Sequence, residues 1–141
     1  MQRTPVQDAA RVVGVAFLVV GLAGFVPGLT TDLFGGLEFA GSDGTSELLG
    51  VFEVSVLHNI VHGLFGLAGL ALAGSPSGAR NYLVGGGALY LAIFLLGIVG
   101  GGDWLPTNRA DDWLHLALGA AMVAAGLLTT REVTPAGSRG P

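Results

Sequence analysis

Four long apolar segments constrain the fold of this chain more than any other feature. Hydrophobic residues make up 51% of the sequence and charged residues 11%, whereas soluble domains carry about a quarter charged residues. A helix of about 20 apolar residues crosses the roughly 30 Å hydrocarbon core of a bilayer, and lipid offers no partners to backbone groups. The sequence therefore predicts an all-α, integral membrane four-helix bundle with helices at about 12–29, 48–73, 81–99 and 111–130. We expect residues 1–133 to form this single domain and residues 134–141 to be a disordered tail.

The distribution of arginine predicts the orientation of the bundle. All six basic residues are arginines, and five lie before the first segment, between the second and third, or after the fourth: Arg3, Arg11, Arg80, Arg131 and Arg139. The first connection, at about 27–47, has no basic residue. Because basic residues are retained on the cytoplasmic side, we expect a multi-pass protein of the plasma membrane with both termini in the cytoplasm.

Polar side chains interrupt two of the apolar segments. His58, Asn59 and His62 lie in the second segment, and Asp111 and His115 lie in the fourth. Charged groups at the centre of a bilayer cost roughly 2.5 to 3.5 kcal/mol each, so polar residues at this depth usually face a protein interior. We therefore predict one buried polar cluster formed by these five residues.

The fourth segment repeats the pattern of the second. A single offset along the chain places His58 on Asp111 and His62 on His115, each pair one helical turn apart. The simplest explanation is two helical hairpins in tandem, related by a pseudo-two-fold axis along the membrane normal. The second and fourth helices would then face each other and bring the polar residues together.

Several interpretations of this cluster remain open. It is either a hydrogen-bonded network that holds the helices together, with Asp111 as a cap of the fourth helix, or a site for a transition metal, haem or quinone, or a pathway for protons or a small solute. In the metal hypothesis, a helical pair of histidines one turn apart supplies two ligands, and the full set is His58, His62, Asp111 and His115. The absence of cysteine excludes thiolate ligands.

No catalytic motif is present, which favours a non-enzymatic membrane module, either an oligomeric scaffold or an accessory subunit. We expect the lipid bilayer as its environment, a homo-oligomer or a larger membrane complex as its assembly, and no nucleic-acid partner. Small-residue stripes support close helix packing within the chain or between copies: Gly63, Gly66 and Gly69, then Gly85, Gly86 and Gly87, and finally Gly119. Glu53, expected on the opposite side of the second helix, would reach the outer interface or pair with Arg109.

Two stretches resemble a known family. The string at 51–62, which contains Leu57-His58-Asn59-Ile60-Val61-His62, and the string at 108–119, which contains Ala110-Asp111-Asp112-Trp113-Leu114-His115, resemble the two signatures of the domain-of-unknown-function family number 4383. That family consists of small bacterial membrane proteins with four predicted helices. The resemblance covers nearly the whole chain and implies its fold and topology, but no activity. Asp112 departs from the asparagine expected at that position.

Overall fold

Four α-helices and one short β-hairpin form the part of the chain that the structure describes. The computed structural model of the protein describes residues 3–99 and 107–129. The helices are α1 (Pro5–Ala23), α2 (Val56–Leu72), α3 (Pro76–Ile98) and α4 (Arg109–Leu128). An antiparallel hairpin of β1 (Glu47–Leu48) and β2 (Phe52–Glu53) lies in the connection between α1 and α2. The described chain thus confirms the helical class and the predicted order of four helices.

The helices begin where polar side chains cap them, which differs from the bounds expected from apolar composition. In α1, the Gln7 side chain accepts a hydrogen bond from the backbone nitrogen of Thr4 at 3.1 Å, so the helix begins well before the apolar run. In α2, the Ser55 hydroxyl accepts from the backbone nitrogen of His58 at 3.2 Å. Capping of this kind satisfies backbone donors that the first helical turn leaves free. The predicted tail at 134–141 lies outside the described residues.

Three of the described helices are long and apolar enough to cross a membrane. These are α1, α3 and α4, whereas α2 is a shorter apolar helix of 17 residues. Large apolar side chains are exposed along all four helices, among them Val12, Leu64, Leu95 and Leu128. Exposed apolar surface of this extent is typical of helices that face lipid or a partner rather than water.

The helices pack as two hairpins. α1 packs mainly against α2, and α3 packs mainly against α4. Glycines allow close backbone contact in both pairs. A β-carbon added at Gly66 would lie 2.6 Å from the carbonyl oxygen of Gly14, and one added at Gly87 would lie 2.7 Å from that of Gly119. These contacts place Gly66, Gly87 and Gly119 in helix packing within the chain, whereas a β-carbon added at Gly63 or Gly85 would meet nothing within 4 Å. The pseudo-two-fold relation between the hairpins stays a prediction.

The connection between α1 and α2 is ordered by its own hydrogen bonds. The Thr45 hydroxyl donates to the carboxylate of Asp32 at 2.6 Å, and the Ser46 hydroxyl donates to the Asp32 carbonyl at 3.1 Å. The backbone nitrogen of Leu57 donates to the carbonyl of Phe39 at 2.9 Å. This last bond holds the connection against the first turn of α2, where it covers one end of the candidate site.

Candidate functional site

A cavity lies between α2, α3 and α4, beneath the connection that follows α1. Its volume is about 230 Å³, slightly below the roughly 300 to 1,000 Å³ typical of drug-sized ligand pockets. Its walls are mainly apolar, and four polar rings face it: His58, His62, Tyr90 and His115. The cavity is therefore large enough for a small molecule or for the head group of a larger one.

His62 has a defined tautomer because of its backbone contact. Its Nδ1 lies 3.0 Å from the carbonyl oxygen of His58, and a carbonyl can only accept a hydrogen bond. Nδ1 therefore carries the proton, and in the neutral ring Nε2 is an acceptor. The Tyr90 hydroxyl lies 3.4 Å from this Nε2 and donates to it over a long distance. The His58 and His62 rings stack with centroids 4.2 Å apart.

Tyr90 separates the histidines of α2 from the histidine of α4. The Tyr90 and His115 rings meet edge to face with centroids 5.2 Å apart. Both His62 and His115 face the cavity, but in the described chain no direct hydrogen bond joins them. His115 is only 5% exposed, and its Nδ1 is buried without a hydrogen-bond partner in the described structure. The site thus contains a tyrosine that the sequence analysis missed, and the only signal for it was a polar ring tip within an apolar helix.

Asn59 and Asp111 belong to the packing of the protein rather than to the cavity wall. Asn59 is 2% exposed, and its side-chain nitrogen donates to the carbonyl of Gly24 at 3.0 Å, which ties α2 to the end of α1. The carboxylate of Asp111 accepts from the backbone nitrogen of Asn108 at 3.0 Å and from that of Glu53 at 3.1 Å. Asp111 therefore caps α4 and holds the β-hairpin against it.

Glu53 lies in β2 and not on α2, where it was expected. In the described chain it makes no ion pair with Arg109, and its Oε1 is buried without a hydrogen-bond partner. Desolvation and the nearby carboxylate of Glu47 raise the pKa of Glu53. The structure therefore gives Glu53 a place in the cover of the bundle, close to Asp111.

The predicted polar cluster is thus divided between two settings. The three histidines line one cavity, whereas Asn59 and Asp111 hydrogen-bond to backbone groups outside it. Among the described residues, no group of three or more His, Cys, Asp or Glu side chains is placed to hold a metal ion. Metal or haem binding by His58, His62, Asp111 and His115 stays a prediction.

In its fold and its cavity, the chain is a small helical protein with apolar helices and a histidine-lined cavity. Comparison with protein families assigns the chain further: a model described as "Domain of unknown function (DUF4383)" matches residues 7–128. The chain belongs to this family, as the two signature stretches indicated. No curated protein and no solved structure matches it.

Proposed function

We propose that the chain is a multi-pass protein of the plasma membrane with both termini in the cytoplasm. The three long apolar helices support membrane insertion, and α2, with 17 residues, extends about 25 Å at 1.5 Å per residue. The placement of arginine supports the orientation. In this orientation the connection between α1 and α2, together with the cavity beneath it, lies toward the outer face.

We further propose that this protein is a non-enzymatic binding module that takes a small, mainly apolar molecule from the bilayer into the cavity. The observation that carries this proposal is the mainly apolar cavity of about 230 Å³, whose wall includes the rings of His58, His62, Tyr90 and His115. Ligand pockets are typically apolar with a few polar groups that orient the ligand, and these four polar rings are such groups.

The route into the cavity is lateral, between α2 and α3. Leu57 and Val61 on α2 and Leu89 on α3 line the cavity and are also exposed on the surface of the bundle. A molecule dissolved in the bilayer therefore reaches His62 and His115 without crossing the outer connection. The same binding role would suit an accessory subunit of a larger membrane complex.

Photolabelling in liposomes tests this function. A trifluoromethylphenyl diazirine, which has no hydrogen-bonding group on its ring, should label the buried residues Tyr90 and His115 after irradiation. Val61→Trp should reduce that labelling, because Val61 is 51% exposed and lies at the opening. Val19→Trp is the matched control, since Val19 is 57% exposed on α1 and does not line the cavity. Labelling confined to lipid-facing residues in the unmodified protein would refute the binding function.

A further inference from the structure

A second cavity lies where the end of α3 meets the start of α4. Its volume is about 310 Å³, at the lower end of the range typical of ligand pockets. The described residues that line it come from both helices: Phe94, Gly97 and Ile98 from α3, and Arg109, Asp112 and Trp113 from α4. The described lining of the first cavity has no Asp, Glu, Lys or Arg, whereas this one presents one cation and one anion. The two cavities therefore suit different ligands.

The absence of a side chain at Gly97 gives the Asp112 carboxylate its position. A β-carbon added at Gly97 would collide with Asp112 Oδ1, so this oxygen lies directly on the backbone of α3. Oδ1 is buried without a hydrogen-bond partner in the described structure, and a ligand cannot reach it. Because the Asp112 side chain is only partly buried and lines the cavity, Oδ2 is the oxygen that a ligand can contact.

The two charged side chains of the second cavity are not paired with each other. Among the described residues, the only ion pair joins Arg3 and Asp8. Arg109 and Asp112 therefore do not neutralise each other, although both line this cavity. A ligand with a single charge would attract one of these groups and repel the other. A zwitterion with a phosphate and an ammonium group can pair with both.

The backbone at the start of α4 offers no anion site, because its nitrogens already have partners. Asn108 Oδ1 accepts from the backbone nitrogens of Ala110 at 2.9 Å and Asp111 at 3.0 Å. The backbone nitrogen of Asp112 donates to the Asn108 carbonyl at 3.0 Å. The guanidinium of Arg109 is consequently the group that would hold a phosphate, and its planar set of donors can bind one through two parallel hydrogen bonds.

The neighbouring side chains suit the boundary between lipid head groups and acyl chains. Trp113 is 61% exposed, and its ring centroid lies 6.0 Å from that of Phe94. Tryptophan is enriched at this depth of a bilayer. Arg109 lies one helical turn before Trp113, about 6 Å along the axis at 1.5 Å per residue, which is toward the outer head groups in the proposed orientation. Leu95 and Ile98 are 56% and 57% exposed and provide an apolar surface for acyl chains.

We propose that the second cavity binds the head group of a phospholipid that carries a phosphate and a primary ammonium group. The phosphate accepts from Arg109, the ammonium group donates to Asp112 Oδ2, and the acyl chains lie against Leu95 and Ile98. A quaternary ammonium group has no hydrogen to donate, and a head group without an amine brings no cation to Asp112. This assignment rests on the proposed membrane insertion and orientation, but not on ligand binding in the first cavity.

Native mass spectrometry of the whole protein in mild detergent tests the head group. The probes are dioleoyl phosphatidylethanolamine, phosphatidylcholine and phosphatidylglycerol, which share their acyl chains. We expect the ethanolamine lipid to bind about fivefold more tightly than the other two, which corresponds to about 1 kcal/mol, the upper end for an exposed ion pair. Equal affinities, or tighter binding of either of the other lipids, would overturn the proposal.

A soluble analogue separates a lipid from a free metabolite. Glycerophosphoethanolamine has the same head group without acyl chains, so it leaves the apolar surface of Leu95 and Ile98 uncovered. We expect it to bind at least about tenfold more weakly than the ethanolamine lipid. Comparable affinity would identify a soluble ligand and overturn the assignment to a lipid.

Two variants assign the contacts. Asp112→Asn removes the anion and keeps the size of the side chain, so the ethanolamine and glycerol lipids should bind about equally. Arg109→Gln should weaken both lipids alike by about fivefold, because both carry the phosphate. Asp43→Asn and Arg80→Gln are the matched controls, since both residues are exposed and neither lines the cavity, and they should change neither affinity nor preference. Circular dichroism verifies folding, and an unchanged preference in folded Asp112→Asn would overturn the proposal.

The two binding proposals can fail separately. Val61→Trp obstructs the first cavity only, so it should reduce diazirine labelling and leave the preference for the ethanolamine lipid unchanged. A lipid preference without diazirine labelling would refute the function of the first cavity and support this assignment. Diazirine labelling without a lipid preference would do the reverse.

Discussion

The close contact between α1 and α2 at Gly66 allows the effect of one substitution on stability to be estimated. Gly66 on α2 packs directly on α1, and a β-carbon added there would lie 2.5 Å from the backbone nitrogen of Leu18 and 2.6 Å from the carbonyl oxygen of Gly14. Real β-carbons essentially never approach other atoms closer than 3.0 Å. Both neighbours are backbone atoms, so no side-chain rotation can relieve the clash. Gly66→Ala therefore has to move α2 away from α1 by at least half an ångström.

The cost follows from the contacts that this movement weakens. A gap of about 0.5 to 1 Å removes a quarter to a half of the attraction between two atoms in contact, and it would extend along the face of α1 that includes Gly14 and Gly21. Overpacking of a well-packed interface costs about 1 to 3 kcal/mol. We expect Gly66→Ala to lower the free energy of unfolding by an amount in the upper half of that range.

Gly63 provides the matched control on the same helix. A β-carbon added at Gly63 would meet nothing within 4 Å. Gly63→Ala should leave the free energy of unfolding unchanged or raise it by up to about 1 kcal/mol, the usual advantage of alanine over glycine inside a helix. The second hairpin offers the same comparison, with Gly87→Ala as the clash and Gly85→Ala as the control.

Titration with sodium dodecyl sulfate from a mild detergent, followed by far-ultraviolet circular dichroism, measures these differences. The reasoning predicts a clear loss for Gly66→Ala and Gly87→Ala and none for their partners. If Gly63→Ala and Gly66→Ala were equally stable, α1 and α2 would not approach each other as described. If Gly63→Ala alone were destabilising, the face of α2 that contacts α1 would be wrongly assigned.

Three further predictions concern topology, pH and metal. A tag inserted near Asp43 should be accessible from outside the cell and a reporter fused after Thr130 should be cytoplasmic, because arginine sets the orientation; a reporter outside the cell would exclude an even number of crossings. Burial and the nearby Glu47 raise the pKa of Glu53. The protonated Glu53 side chain therefore stabilises the folded state below the ordinary glutamate pKa of about 4.3, and this stabilisation is lost as the pH rises through the raised pKa. Glu53→Gln should therefore unfold at a higher temperature than the wild type near neutral pH and at the same temperature in acid; a less stable variant near neutral pH would contradict the raised pKa. His62→Gln should lower the free energy of unfolding by only about 0.6 kcal/mol, the average for intramembrane hydrogen bonds, and stoichiometric metal found by elemental analysis in the wild type and lost in this variant would show the metal hypothesis to be correct instead.

The sequence predicted the four helices correctly but not the residues at which they begin. The segment before Val56 contains Leu48 and Phe52 and reads as apolar, and a short apolar run has the same appearance in a strand and in a helix. The chain reverses there because Leu49 and Gly50 adopt positive φ angles of 56° and 67°, which a right-handed helix excludes. For this reason Glu53 was wrongly assigned to α2, because helical spacing was applied across a turn that is not helical.

The candidate site was predicted only in part, because helical spacing describes one helix and not the residues of its neighbours. Helical spacing places His58 and His62 on one side of α2, and the structure keeps them together over the cavity. Spacing along one helix cannot reveal which residue of another helix lies opposite, so Tyr90 was not found. It also cannot tell a cap from a ligand, and the carboxylate of Asp111 is occupied by backbone nitrogens of α4 and β2.

The buried polar groups of this bundle differ in their surroundings, and the lack of a hydrogen-bond partner alone does not distinguish them. Asn59 is buried, and its side-chain nitrogen donates to the backbone at the end of α1, which is the ordinary condition of polar groups in protein interiors. Tyr82 and His115 each bury a polar atom without a partner, but the Tyr82 ring packs tightly on Phe65 and Gly69, where no space is left for another molecule. Among the described residues, His115 lines the first cavity, and Asp112, which also buries an oxygen without a partner, lines a second one, whereas Tyr82 lines neither. A missing hydrogen-bond partner therefore does not by itself indicate a ligand, because a place on a cavity wall is needed as well.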